Sequence, residues 1–397
     1  MSTSKKIFMF IGLLFMFLMA YVFILKLTTT SKDSTSNNNT NEIVTKDTEN
    51  DKIENKAKKE PTIEDKAKEK LKELSNEDKV GQLLLARCPD TDAINSIKNY
   101  HLGGYILFGQ DFDNKTKEQI KNSIKSYQDS SKLPMFIAVD EEGGTVVRVS
   151  SNINLCPKKF ASPQNIFNSS GMDGIISDVK EKSSTLKDLG INLNLAPVAD
   201  VSTNPSDYIY SRTFGKPANE TANYIHTVVS TMNECNISCT LKHFPGYGNN
   251  LNTHTGISID KRSMADFRNS DFLPFKAGID AGCDSILVSH NIVEAMDPSE
   301  PASLSPNVHE ILRNELNFKG VIMTDDLAMD AITKYTKDKS PAVTAINAGN
   351  DMIIVTDLLN SYNSLLAEVN NGNITQQQLD EKVTRILTWK MAKGIIN

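Results

Sequence analysis

The sequence predicts an α/β protein: a single (β/α)8 barrel preceded by a membrane-spanning segment and a polar linker. Three observations predict it. Short apolar runs alternate with longer amphipathic stretches from about residue 66 to 397. There are eight such runs, the number a closed barrel of βα units requires within roughly 330 residues. Just past nearly every run stands a charged or hydrogen-bonding side chain, whereas the opposite ends are mostly glycine or small residues. Polarity confined to one end is what a barrel with its site at the C-terminal strand ends produces.

The elements follow in order. Lys5 and Lys6 precede an uninterrupted apolar segment from Ile7 to Leu25, closed by Lys26. It is long enough to cross a bilayer as a helix and longer than the apolar core of a cleaved leader. Residues 1–27 are therefore expected to be an uncleaved anchor, with the two lysines inside and the bulk of the chain outside; secretion after cleavage is the alternative. Residues 28–65 hold Ser, Thr, Asn, Asp, Glu and Lys with few large apolar side chains, a composition that cannot bury a core and reads as a disordered tether.

The domain over residues 66–397 contains the expected strands. They are Gly81 to Leu85, Gly104 to Phe108, Met135 to Val139, Ile191 to Val198, Ile237 to Leu241, Ser285 to Val288, Gly320 to Met323 and Met352 to Val355. Helix-like segments lie between most of them, for instance Thr116 to Tyr127, Asn219 to Met232, Phe267 to Ala281 and Asn307 to Leu316. Ser263 with Asp266, and Thr375 with Gln378, have the spacing of capping boxes. An open doubly wound sheet is the competing architecture, weakened because no Gly-x-Gly-x-x-Gly turn follows the first strand. Trp389, in the last helix, reads as core; His101, His226 and His309 read as packed or solvated.

Bulk properties exclude several functions. A net charge of -6 gives no reason to expect a nucleic-acid partner. Five cysteines without a Cys-x-x-Cys pair indicate neither a zinc site nor a disulfide framework.

The predicted strand ends present Arg87, Gln110, Asp140-Glu141-Glu142, Asp200, Lys242-His243, Ser289-His290, Asp325-Asp326 and Asp357. Three chemistries use such a ring. A metallohydrolase would draw ligands from His243, His290, Asp325 and Asp140, but no His-x-His or His-Glu-x-x-His spacing supports it. A Schiff-base lyase would use Lys242, yet its neighbours are polar rather than apolar, which argues against a lowered pKa. Glycosyl transfer to water needs a carboxylate to meet the oxocarbenium ion and a separate proton donor. Asp325 at a strand end suits the first task, and His254 on the loop after the fifth strand suits the second.

That loop, Lys242-His243-Phe244-Pro245-Gly246 continuing to Thr253-His254, is one of five segments that together resemble glycoside hydrolase family 3. The others are Val139-Asp140-Glu141-Glu142-Gly143-Gly144 to Arg148, Ala196-Pro197-Val198-Ala199-Asp200-Val201, Ser211-Arg212-Thr213-Phe214 and Thr324-Asp325-Asp326-Leu327-Ala328-Met329. The resemblance runs from about residue 66 to the C-terminus and is strongest to the single-domain β-N-acetylhexosaminidase branch. It implies a retaining enzyme with Asp325 as nucleophile and His254 as acid/base. Asp140, Arg148, Arg212, Lys242 and His243 are implied to hold the terminal sugar. Strand alternation is expected to turn Asp326 away from the pocket. Asp200 reads as a loop-anchoring carboxylate and His290 as part of the pocket wall.

One departure stands out. The family generally carries an aspartate two residues before the catalytic histidine, where this chain has Asn252. Asparagine can orient an imidazole but cannot stabilise an imidazolium by charge, so lowered or pH-shifted activity is expected, unless another acid such as Asp260 reaches in. The expected substrate is a terminal β-linked N-acetylglucosamine of peptidoglycan fragments or a related glycan. No metal or cofactor, a monomer, and membrane attachment through residues 7–25 complete the expectation. A tethered, non-catalytic sugar-binding protein is the alternative.

Overall fold

The computed structural model describes residues 60–250, 256–336 and 339–396. Residues 1–59, which hold the expected anchor and most of the expected linker, lie outside the described residues. No helix among the described residues is long and apolar enough to cross a membrane.

Eight parallel strands close into a barrel in sequential order. They are β1 (Leu84–Arg87), β2 (Gly104–Leu107), β3 (Phe136–Val139), β4 (Leu193–Asn194), β5 (Ser238–Phe244), β6 (Ser285–Val288), β7 (Val321–Asp326) and β8 (Met352–Val355). Continuous Val/Ile/Leu runs suit strands covered on both faces, and β2, β3, β5, β6 and β8 are buried along their whole length. Helices cover the outside. They include Ala93–Tyr100, Lys117–Ser130, Pro163–Asp188, Ala218–Glu234, Phe272–Asp280, Pro341–Ala348, Leu358–Asn370 and Gln376–Ala392. Both expected capping boxes form, at Ser263 and Thr375, each satisfying amides that a helix start leaves open.

The first strand departs from expectation. Gly81 lies in the last turn of the helix Asn76–Gln82 rather than starting a strand, and β1 begins only at Leu84. The apolar run from Val80 to Leu85 spans a helix end and a strand start, and periodicity alone cannot divide it. The folded domain also begins earlier than residue 66, since Thr62 caps the helix Ile63–Leu71 with a capping box. That helix packs on Gln376–Ala392 at the N-terminal end of the barrel. There Trp389 is core, its ring 4.2 Å from Phe136 and its indole N–H donating to Ser238 Oγ at 3.1 Å.

Candidate active site

The C-terminal ends of the strands surround a cavity of about 480 Å3. Arg87, Phe108, Asp140, Glu142, Arg148, Tyr208, Arg212, Lys242, His243, Asp325 and Asp326 line it.

The acidic end of β3 builds its floor. Alternation sends Asp140 and Glu142 one way and Glu141 the other. Glu141, fully buried, accepts from the amides of Arg148 and Val149 at 2.7 Å each and from Ser150 Oγ. These bonds fold residues 142–148 back over the strand and bring Arg148 to the cavity. Asn194, on β4, donates to Glu141 O at 3.1 Å and accepts from Glu141 N at 3.0 Å, continuing the ladder with a side chain. Gly143 permits the turn: it has φ +100°, and a Cβ there would lie 2.2 Å from Ala161 O.

Lys242, on β5, bridges the two cavity-facing acids. Its Nζ lies 2.7 Å from both Asp140 Oδ1 and Glu142 Oε1. Arg212 donates to Glu142 through Nε at 2.9 Å and Nη2 at 2.7 Å, a bidentate pair. Burial alone would raise the Glu142 pKa, but Lys242 and Arg212 outweigh it and hold the carboxyl well below the usual range. Burial likewise pulls Lys242 down while Asp140 and Glu142 pull harder upward, so its pKa is raised. Lys242 is therefore a fixed cation rather than an amine nucleophile.

The register between β5 and β6 shifts after Leu241, the irregularity that re-aims side chains next to sites. The Lys242–His243 peptide bond is cis, and both side chains line the cavity. The His243 ring stands between Asp200 and Arg212: Nδ1 is 2.7 Å from Asp200 Oδ2, and Arg212 Nη2 donates to Nε2 at 3.2 Å. A guanidinium can only donate and a carboxylate only accept, so the ring carries its proton on Nδ1. Asp200, fully buried, also accepts from the amides of His243 at 3.2 Å and Tyr247 at 2.6 Å, anchoring the start of the loop after β5.

The far end of that loop is held by a second cluster. Arg262 binds Asp260 through Nε and Nη2, Asp271 through Nη1 at 2.9 Å, and Gly246 O through Nη2 at 2.9 Å. Asn250 donates to Asp260 Oδ2 at 2.6 Å, closing the loop across its base. Ile259–Asp260 pairs with Ile292–Val293 in a separate two-stranded ribbon. Asp260 is thus buried and committed to Arg262 and Asn250, not directed into the cavity. Asn252 and His254 fall in residues 251–255, outside the described residues.

Across the cavity, Asp325 sits at the end of β7, its Oδ1 accepting from the amide of Asp326 at 2.8 Å. Asp326 also borders the cavity, with its carboxylate engaged by Ala328 N at 3.0 Å and Thr356 Oγ1 at 2.6 Å. His290 is buried just past the end of β6. It joins Ser303 Oγ at 2.7 Å to the carbonyl of Asp326 at 3.1 Å, and so steadies the end of β7. Among the described residues no three His, Cys, Asp or Glu side chains converge as metal ligands would.

The sequence reading named most of these positions but gave no separate role to Glu142, the central acid, and did not foresee the Asp260–Arg262–Asp271 anchor. Alternation along Asp140-Glu141-Glu142 was the signal for the first. The anchor has none in the sequence, because it depends on a loop returning to its own base.

A parallel (β/α)8 barrel whose C-terminal cavity sets one strand-end carboxylate across from a cluster of cations and acids has the layout of a glycosidase. Sequence comparison gives the family. Residues 75–389 match the glycosyl hydrolase family 3 N terminal domain, so the chain belongs to glycoside hydrolase family 3. A β-hexosaminidase of Idiomarina loihiensis is 34% identical over 257 residues, covering 64% of this chain and 76% of that protein. One from Nitrosomonas eutropha is 29% identical over 276 residues, covering 68% and 77%. The structure of a family 3 β-N-acetylglucosaminidase from Paenibacillus sp. str. FPU-7 superposes with a TM-score of 0.75 at 29% identity. That match covers 81% of this chain but only 63% of the Paenibacillus chain.

Proposed function

We propose that this protein is a retaining exo-β-N-acetylglucosaminidase, releasing terminal β-linked N-acetylglucosamine from peptidoglycan fragments or related glycans. The observation that carries the reading is the placement of Asp325 across a single cavity from Asp140, Arg148, Arg212 and Lys242. The relatives named above supply the sugar. A terminal residue gripped by that cluster would present its anomeric carbon to Asp325, which would attack as the bond to the leaving oxygen breaks. His254 would give that oxygen its proton, and then take one from the water that releases the sugar from Asp325. The ion pairs fix the cations before substrate arrives, so little reorganisation remains at the reacting step.

Asn252 weakens the acid/base in this reading, and Asp260 is engaged by Arg262 and Asn250. Asn252→Asp is expected to raise kcat several-fold and shift its pH profile.

The test is p-nitrophenol release from p-nitrophenyl β-N-acetylglucosaminide, with and without chelator and phosphate. Chelator-resistant hydrolysis supports the reading; no turnover by the wild type or Asn252→Asp would leave the sugar-binding alternative. Monomeric state and anchorage outside the cytoplasm through residues 7–25 are part of the proposal. They are checked by sedimentation of the domain and by protease access to whole cells.

A further inference from the structure

A second cavity, of about 950 Å3, lies at the N-terminal end of the barrel, away from the sugar-gripping group. Leu71, Val321 and Trp389 form its apolar side, and two residues just before β6, Cys283 and Asp284, also line it.

Cys283 does not stand alone. The register of β5 and β6 pairs Thr240 with Ser285, which sets Cys239 opposite Asp284 and diagonal to Cys283. Strands about 4.8 Å apart with a rise of about 3.3 Å per residue put a diagonal pair of Cα atoms about 6 Å apart, a span that a disulfide bridges. The side chains converge as well. Contact with the Cys283 thiol, ahead of burial, holds the Cys239 pKa well above its ordinary value. Ser285 closes the group: its carbonyl accepts from Cys283 Sγ at 2.9 Å, and its Oγ donates to Cys239 O at 3.1 Å. Both thiols are free and buried, and they lie too far apart in the chain for any spacing to announce the pair.

A proton acceptor stands beside them. Asp284 Oδ2 accepts from Cys239 N at 3.1 Å, and the carboxylate also meets the Cys239 thiol. Burial raises the Asp284 pKa against the pull of Lys393, whose Nζ is 3.0 Å away, which makes it a stronger base than an exposed carboxylate.

We propose that Cys239 and Cys283 are a dithiol that closes to a disulfide by exchange with a small-molecule disulfide entering through this cavity. Cys283, having lost its proton to water, attacks as the thiolate, forms a mixed disulfide and releases one small thiol. Cys239 then passes its proton to Asp284, its sulfur attacks Cys283 Sγ, and the second small thiol leaves with a proton from solvent. One protein dithiol and one small disulfide thus give one protein disulfide and two small thiols. The bond would join the starts of β5 and β6 and enclose residues 239–283, which carry Lys242, His243 and the Arg262 anchor. The dithiol stands apart from the glycosidase reading and does not depend on it.

The test treats the native full-length protein with oxidised glutathione and counts thiols after denaturation. It is run in Cys235→Ser, which removes the one cysteine that is not buried. The count is expected to fall from four to two per chain, with a peptide linking Cys239 to Cys283, and dithiothreitol should restore all four. The oxidised form should unfold at a higher urea concentration than the reduced one, because the bond restricts the unfolded chain. Adding Cys239→Ala should stop the reaction at one glutathione on Cys283, and adding Cys283→Ala should leave all three remaining thiols free. Asp284→Asn should slow closure of the mixed disulfide at least roughly tenfold while leaving its formation unchanged. Four thiols persisting in the native protein, a link between another pair of cysteines, or a lasting mixed disulfide on Cys283 beside an intact Cys239 would each overturn the proposal. A closure rate unchanged in Asp284→Asn would overturn the part given to that carboxylate.

Discussion

Buried ion clusters stand at both ends of this barrel, built from the same residue types and ending on different partners. At the N-terminal end Asp351, fully buried before β8, accepts from Arg313, from Arg385 at 2.8 Å and from the amide of Ile322 at 2.8 Å. Arg313 goes on to the carbonyls of Phe318 and Gly320, and Lys382 to that of Asn350. The Arg313 branch and the Ile322 amide tie Asp351 to backbone, so the cluster fixes where β7 and β8 begin. At the C-terminal end, among the described residues, Asp140 and the Glu142 carboxylate are tied to Lys242, Arg148 and Arg212, and these side chains border the cavity. Composition does not distinguish the two clusters; the kind of partner does. A network closed on backbone sets the frame, and one closed on side chains leaves faces for a ligand.

The largest expected effect separates chemistry from frame. Asp325→Asn should lower hydrolysis by roughly 10^4-fold or more while leaving the melting temperature within a few degrees of the wild type. Asp351→Asn should do the reverse: a loss of about 3–5 kcal/mol in denaturant unfolding, with kcat per folded molecule kept. A fall in kcat beyond the unfolded fraction would break the distinction.

Glu142→Gln tests the intermediate case, an acid that serves both stability and site. Its folded pKa is held below the ordinary value of 4.5, so its contribution is present above about pH 4.5 and is lost as pH falls toward the folded value. The variant should therefore be less stable by about 2–4 kcal/mol at pH 7, with the gap closing in acid. Unfolding curves between pH 7 and 3 measure it, and a gap independent of pH would contradict the assignment.

The last test lies at the other end. Lys390 is fully buried, and burial pulls its pKa down to about 7; its Nζ donates to Gln82 Oε1 at 2.7 Å. Between pH 7 and 10.5 the unfolded chain holds a proton here that the native chain has released, so stability rises with pH. The wild type should gain on Lys390→Met by up to about 1.4 kcal/mol per pH unit across that window. Parallel curves for the two proteins would show that Lys390 stays charged in the native chain throughout the window.

Much of the frame was legible because each strand is a short, continuous apolar run that ends in a polar residue. What slid was the edge of an element wherever apolar residues ran through its boundary, as at Val80 to Leu85, or where polar residues stayed in the ladder, as at Asp325 and Asp326 in β7. Asp140, Arg148, Arg212, Lys242 and Asp325 were readable from the sequence and stand around one cavity. Arg262 was not, because its partners Asp260, Asp271 and Gly246 O meet only when the loop folds. Gly246 lets them meet: it has φ +126°, and a Cβ there would sit 2.2 Å from Asp271 Oδ1.

The central claim is that Asp325 forms a bond to the sugar. Incubating the domain with an activated 5-fluoro-N-acetylglucosaminyl donor, then digesting it and mapping peptides by mass, tests this directly. The account predicts one added fluorosugar on the peptide containing Asp325, absent from Asp325→Asn. Turnover of p-nitrophenyl β-N-acetylglucosaminide with the label on another residue, or with no label at all, would contradict it.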